Sequence, residues 1–509
     1  MLVGGLATGA CRGRAPPPLT GTLLGTEQAE RGHRLRTPTG PARFDRAVDL
    51  VIVGAGVAGV SAAWRLAKAG WKGRLAWFDL GDQVGGTSGW GDGPRGQYPW
   101  GAHYLVMPGR EAVHVRDMLA DLGVITGFDS DGRPRYDPEA VCLAPQERVF
   151  AWGEWAAGLV PPGGDAAQFA AFEAELDSWK RRLGADGLPA FSIPVALSSR
   201  DPEILAYHHI SFASWLDARG YTDPVLRWTQ RYAVRDDFGT ELDTTSAWAA
   251  LHYHCSRRPD PADARDLGTN VLTWPAGNGF LVWHLLRRVP WAPTLGAVVR
   301  SVRPEEGVVR IVVDTGELRE VTAAQVILAV PGRVAGRLLD REIPSPDLAP
   351  WRIAQLHCDR PPASVGVPLA WDSVIYDGRG LGYVSNAHQS ASYGGPTVLT
   401  WYQPQSEGSP ADAREALGRA TWEEAVDVAF SELSPAHRDL RERVDHVDVW
   451  HWGHGTARPV PGVDPSQYAA ATRPHPRVWL AHTDRSGISL FEEASWHGVR
   501  AADDLLAGR

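Results

Sequence analysis

One short stretch constrains this chain more than any other. Asp49 to Val53 (DLVIV) is an apolar run rich in β-branched residues, the pattern of a buried strand. It passes directly into Gly54-Ala55-Gly56-Val57-Ala58-Gly59. Val57 to Lys68 then carries small or apolar residues at Ala58, Ala62, Ala63, Leu66 and Ala67, with Gly70 placed to stop a helix. Arg74 to Phe78 reads as a second strand, and Asp79 stands at its end, 20 positions past Gly59. Strand, glycine turn, helix and strand open a βαβ unit. Gly54 allows the tight turn out of the strand, Gly56 lets a ligand approach the backbone, and Gly59 lets helix and strand pack closely. Free N–H groups at the helix start suit a pyrophosphate, and an acid in the position of Asp79 suits ribose hydroxyls. The ligand class is a dinucleotide.

Further segments follow in order. After Asp79 come Leu80 and, six residues past the acid, Gly85-Gly86-Thr87. Tyr98-Pro99-Trp100-Gly101-Ala102-His103, Trp274-Pro275-Ala276-Gly277-Asn278-Gly279-Phe280 and Val298-Val299-Arg300-Ser301-Val302 come next. Trp479 to Asp484 and then Phe491-Glu492-Glu493-Ala494 close the series. Together these segments resemble the flavin-containing amine oxidase superfamily, which includes monoamine and polyamine oxidases, L-amino acid oxidases, protoporphyrinogen oxidase and phytoene desaturases. The resemblance covers about residues 48–105, 270–335 and 476–507. It implies an α/β fold: a Rossmann-like FAD-binding domain with a discontinuous α+β substrate domain of mixed sheet and helices. It also implies the contacts. Gly54, Gly56, Val57, Ala58 and Gly59 would serve the pyrophosphate, and Asp79, Leu80, Gly85, Gly86 and Thr87 would wrap ribose and phosphates. Trp100, Gly101, Ala102 and His103 would run beside the flavin ring. The Val299 backbone would meet the adenine, Asp484 the ribityl chain. The helix opening at Glu492 would point at the flavin carbonyl, where a helix N-terminus stabilises negative charge.

The chain departs from that family pattern in ways that bear on chemistry. Thr87 stands where an arginine is common, so phosphate charge must be met by backbone dipoles or another arginine. No cysteine lies between Asp484 and Glu492, so the FAD is expected to be non-covalent. Many amine-oxidising relatives place a lysine, through water, near the flavin N5, yet no lysine follows Lys180. The paired-tyrosine amine cage is not recognisable; Trp450-His451-Trp452-Gly453-His454 occupies that late region. His103 and Trp452 are the catalytic candidates, the histidine because it can exchange a proton near neutral pH, the tryptophan as an aromatic wall. Each also has a plainer reading, as a flavin contact and as core packing. Arg235-Asp236-Asp237-Phe238-Gly239 with Glu241 is either a site for a cationic or polar substrate or a structural ion-pair network.

These readings define an FAD-dependent oxidoreductase taking a hydride from a C–N or C–C bond of a small molecule, with an unidentified electron acceptor. A desaturase- or isomerase-like enzyme for an apolar substrate stays open, as does a flavin-binding protein without turnover. A net charge of −9 disfavours nucleic acid. No run of about 18 apolar residues predicts a membrane span. No metal is expected: the cysteines are scattered, and His252, His254 and Cys255 with His208 and His209 read as satisfied side chains. Only three of the 51 basic residues are lysines, and there are 22 tryptophans.

The expected plan places a signal-like segment and flexible linker at 1–45. The FAD domain takes 46–150, 265–345 and 450–509, and the substrate domain 151–264 and 346–449. Leu2 to Ala10 is a short apolar stretch ending in small residues before Cys11, similar to a bacterial lipoprotein cleavage site, although the charged n-region is missing. The expectation is an exported, periplasmic or Cys11-anchored protein, with a cytoplasmic protein and a disordered tail as the alternative. Helices are expected at Ala166–Leu183, Phe212–Arg219, Ala411–Leu433 and about Glu492–Leu506. Strands are expected across Gly296–Val330 and at Ser364–Trp371, Gly382–Ser385, Thr397–Tyr402 and Val478–Ala481.

Overall fold

The computed structural model of the chain describes residues 18–37, 39–258, 269–386 and 394–508. Residues 1–17 fall outside that set, and with them the signal-like stretch and Cys11.

Two sheets organise the molecule. The first is parallel around Arg43–Val53, which lies between Leu75–Phe78 and Leu318–Leu328. Val478–Leu480 adds in parallel to the far end of Leu318–Leu328. An antiparallel meander of Val298–Pro304 and Val309–Asp314 joins its near end. Strands buried on both faces need apolar residues throughout, and Leu50, Val51, Ile52, Val326, Ile327 and Leu328 are all fully buried. The helix Val57–Lys68 packs against the helix Phe491–Leu506 on one face of this sheet. The first and last segments of sequence resemblance thus meet in space.

The second sheet has eight strands, in the order Leu23–Leu24, Val444–Ala457, Leu348–Cys358, Thr397–Pro404, Tyr383–Ser385, Asp372–Ile375, Glu147–Ala151 and Glu154–Ala157. Leu348–Cys358 is buried along its whole length. A helical lobe of Ala166–Arg181, Phe212–Ala218, Pro224–Phe238 and Ala247–Ser256 packs around Phe172, Trp215 and Trp248. Many of the tryptophans are therefore core, as their size favours.

The expected Rossmann-like α/β layout is present, and several boundaries differ. The flexible linker expected within 1–45 contains a strand at Leu23–Leu24 and a helix at Thr26–His33. Leu23 and Leu24 pair with Val449 and Trp450, a partner more than 400 residues away that no local pattern announces. Val444–Ala457 is one continuous strand of the second sheet, so the expected domain border at 450 falls inside it. Glu147–Ala151 also belongs to that sheet. Ser364–Trp371 forms no strand. The expected helix Ala411–Leu433 is two helices, because Thr421 starts Trp422–Leu433 with a capping box to Glu424. Among the described residues no helix is long and apolar enough to cross a membrane.

Candidate active site

A cavity of about 460 Å³ runs between the two sheets. At one end lie Gly54, Gly56, Val57 and Ala58, then Asp79 and Leu80, then Gly85, Gly86 and Thr87. Two glycine loops are held together here. The Gly85 N–H donates to the Ala55 carbonyl at 2.8 Å. The Asp79 carboxylate accepts the Ala55 N–H at 2.5 Å and the Gly81 N–H at 2.6 Å. Burial raises the Asp79 pKa, against those two N–H groups, which lower it.

The glycines of the first loop divide their work as the spacing implied. A Cβ built on Gly59 would lie 2.0 Å from the Gly54 carbonyl oxygen, so Gly59 serves packing and stands outside the cavity lining. A Cβ built on Gly56 would meet nothing nearer than the Gly85 carbonyl at 3.9 Å. Its φ of −71° suits any residue, so the protein itself does not require glycine there; the space beside it does.

The helices Val57–Lys68 and Phe491–Leu506 both begin at this cavity, and neither has a side-chain cap. Their first N–H groups are free for an anionic or electron-rich partner. Asn278 also lines the cavity, and its buried Oδ1 has no hydrogen-bond partner. An elongated dinucleotide fits this set: a cradle a side chain would fill, two open helix ends and an orphaned polar atom. No arginine takes the place of Thr87. The one cation lining the cavity among the described residues is Arg257, at the other end.

Gly101, Ala102 and His103 line the middle of the cavity. The His103 Nδ1–H donates to the Gly101 carbonyl at 3.0 Å, and the ring sits among Tyr104, Trp371 and Tyr402. Burial lowers its pKa to about 4. The ring is therefore neutral near pH 7 with its lone pair on Nε2. Trp452 lines the cavity as expected, but its indole N–H is spent on the Trp100 carbonyl at 2.5 Å. Trp100 itself lies behind the wall, its ring 5.2 Å from that of Trp450. Trp452 is thus a wall with no proton to give.

Val299 and Asp484 lie outside the lining as well. The Val299 side chain is buried in the core of the first sheet. One Asp484 oxygen accepts the Gly332 N–H at 2.7 Å. Burial would raise that carboxyl, but His482, the Gly332 N–H and Arg485 outweigh it and hold it low. His482 and Thr483, its neighbours, face the cavity instead.

The far end is a chamber bounded by Tyr104, Trp351, Tyr402 and Trp450, with Asp236, Asp237 and Arg257. The charged patch read from the sequence splits in two. Arg235 and Glu241 are structural: Arg235 donates to Ser406 and the Gly378 carbonyl, and Glu241 pairs with Arg231 at 2.5 Å. Asp237 pairs with Arg257. Asp236 lies deep in the protein yet keeps accessible surface, which belongs to the cavity. Burial, with Asp237 adding, pushes its pKa up to about 7. Burial likewise raises Glu492 to about 7 where it lines the cavity. Tyr402, Trp351 and Arg257 were missed because their strands and helix carry no motif. The histidines near Cys255 are satisfied: His252 bonds to the Ser192 carbonyl, His254 to Gln230, and His208 stacks on Trp248.

Residues 52–122 match the NAD(P)-binding Rossmann-like domain family. Among solved structures, the chain is similar to cyclohexylamine oxidase from Brevibacterium oxydans IH-35A, at TM-score 0.64 and 16% identity over 90% of this chain and 99% of that one. It is similar to putrescine oxidase bound to putrescine, at TM-score 0.62 and 16% identity over 91% and 100%. It is also similar to a fatty acid isomerase from P. acnes that produces CLA, at TM-score 0.61 and 14% identity over 90% and 98%. No curated protein sequence matches. The chain shares its fold with these solved structures.

Proposed function

We propose that this chain binds FAD non-covalently in the cavity and is an oxidoreductase that removes a hydride from the carbon beside the nitrogen of a cationic amine. One observation carries the reading: a single cavity joins the glycine cradle to a chamber lined by the Asp236 carboxyl, which burial and Asp237 hold up at a pKa of about 7 against the pull of Arg257. FAD, when bound, supplies the hydride acceptor.

The chain's own residues do the rest. Gly56 and the two open helix ends would hold the phosphates and the ring carbonyl. The neutral His103 ring and the indoles of Trp450 and Trp452 keep water from the reacting carbon. An ammonium ion entering the chamber favours the ionised form of Asp236, because the two opposite charges stabilise each other at close range. An amine must lose its proton before a hydride can leave the adjacent carbon. A carboxylate oxygen of Asp236 would take that proton.

The competing reading is a desaturase or isomerase for an apolar carboxylic acid, and Arg257 favours it. Its charge is already met by Asp237, which leaves the acid side of the chamber in excess. Anaerobic flavin bleaching separates the readings. Primary amines are expected to bleach the bound flavin. Bleaching by polyenes or fatty acids alone overturns the amine reading, and bleaching by nothing supports a flavin carrier. A colourless protein that cannot be reconstituted overturns the cofactor as well.

The Leu2–Ala10 stretch supports export, with Cys11 as a lipid anchor. One acyl chain gives only marginal membrane attachment, so two or more are required. Mass spectrometry of the native N-terminus with cell fractionation tests this, and an unprocessed Met1 in the cytosol rejects it.

A further inference from the structure

Away from the cavity, three side chains converge on one face of the second sheet. His357 lies directly opposite His446 in the antiparallel pair of Leu348–Cys358 with Val444–Ala457. Asp448 follows His446 by two residues, so it projects from the same face. The two rings are 5.0 Å apart between centroids. His446 Nε2 is 3.0 Å from Asp448 Oδ1, and His357 Nε2 is 3.8 Å from Asp448 Oδ2. One ligand atom from each of the three lies within 4.8 Å of the other two. None of the three lines the cavity.

The hydrogen bonds around this cluster fix its chemistry. Thr20 Oγ1 donates to the Asp445 carbonyl at 3.1 Å. Its oxygen is therefore the acceptor for His446 Nδ1 at 2.9 Å. That puts the ring proton on Nδ1 and turns the Nε2 lone pair toward a carboxylate oxygen. Two acceptors at 3.0 Å need positive charge between them. A proton on Nε2 would satisfy that pair alone. It would leave His357 unexplained: this ring is buried, and neither of its nitrogens has a hydrogen-bond partner.

From this geometry we infer that His357, His446 and Asp448 form a binding site for a divalent transition-metal ion of the zinc type, with the fourth position open to water. Two imidazoles and one carboxylate with a vacant position suit Zn²⁺. Thr20 is the positioning residue, because it orients one ligand through the nitrogen that does not ligate. The ion ties two central strands of the sheet to the N-terminal segment carrying Thr20. The site also adjoins the cavity wall: Tyr98 packs edge-on against His357 on one side and Trp100 on the other.

The test uses the full chain without an affinity tag, stripped with chelator and titrated with ZnCl₂ by calorimetry. One zinc per chain is expected, with a rise in melting temperature and, on Co²⁺ substitution, the visible absorption of a four-coordinate site. His446→Asn and Asp448→Asn should each weaken binding about 100-fold or more. Thr20→Val should weaken it roughly 10- to 100-fold. Because His446 is partly exposed, His446→Asn should melt like the wild type in chelator, which separates loss of the ligand from loss of the fold. The absence of stoichiometric uptake overturns the site, and so does uptake that survives both ligand substitutions.

Discussion

Asp79 accepts the Ala55 N–H at 2.5 Å, which makes the acid part of the glycine loop as well as of the ligand site. With the Gly81 N–H on its other oxygen, it ties two loops together before any ligand arrives. Asp79→Ala should therefore lower the melting temperature of the FAD-free protein as well as its affinity for FAD. Two N–H groups would lose their partner, at roughly 1–3 kcal/mol for each left buried. An unchanged melting temperature in the FAD-free variant would refute the structural role.

The second and third glycines of the same motif should separate cleanly. Gly59→Ala forces a Cβ against the Gly54 carbonyl and should destabilise the protein with or without FAD. Gly56→Ala meets open space, so the FAD-free melt should match the wild type while FAD affinity collapses. Fluorescence titration with thermal melts of both variants checks this, and equal affinities for FAD would count against the cradle.

The Asp236 carboxyl carries a pH signature. Its folded pKa of about 7 lies above its ordinary value, so the folded state holds a proton that the unfolded chain releases. Its contribution to stability is complete at low pH and is lost as pH rises from about 4 through 7. Asp236→Asn should thus be more stable than the wild type at pH 8, by a few kcal/mol, with no advantage near pH 3. Substrate binding runs the other way. KM for a cationic amine should fall as Asp236 ionises between about pH 6 and 8, and the Asn variant should lose that dependence. A wild-type KM that is flat across this range would exclude Asp236 as the ammonium partner.

His103 should be silent over the same range. Its pKa of about 4 and its bond to Gly101 keep it neutral, so His103→Gln should leave the position of the acid limb of the kcat/KM profile unchanged. A limb that moves with this substitution would make His103 the titrating group.

None of Lys68, Lys72 and Lys180 lines the cavity. Reduced flavin is accordingly expected to react slowly with oxygen compared with a one-electron acceptor such as ferricenium. Stopped-flow reoxidation measures both, and a faster oxygen reaction would show that this site does not need a lysine there.

What the sequence made legible was local. Gly54 to Asp79 could be read because a turn, a helix start and an acid at fixed spacing are each forced by nearby backbone geometry. The helix Val57–Lys68 was bounded correctly for that reason. The chamber was hidden because Tyr402 and Trp351 sit on interior strands whose place depends on partners far along the chain. Leu348–Cys358 is buried throughout, so it lacks the alternation that marks a strand with one wet face. Asp236 was visible as a charge, but only the fold shows that it faces a cavity while Arg235, one residue earlier, is spent on carbonyls.

The pairing of Leu23–Leu24 with Val449 and Trp450 has a consequence for the order of events during synthesis. The earliest described strand leaves the ribosome without its partner, and the parallel sheet likewise waits for Val478–Leu480. His482 to Ala494, which line part of the cavity, are made after every other residue of its wall. A nascent chain that has not reached residue 494 therefore lacks part of the cavity wall, and a ligand that needs the whole cavity can be held only after those residues are made.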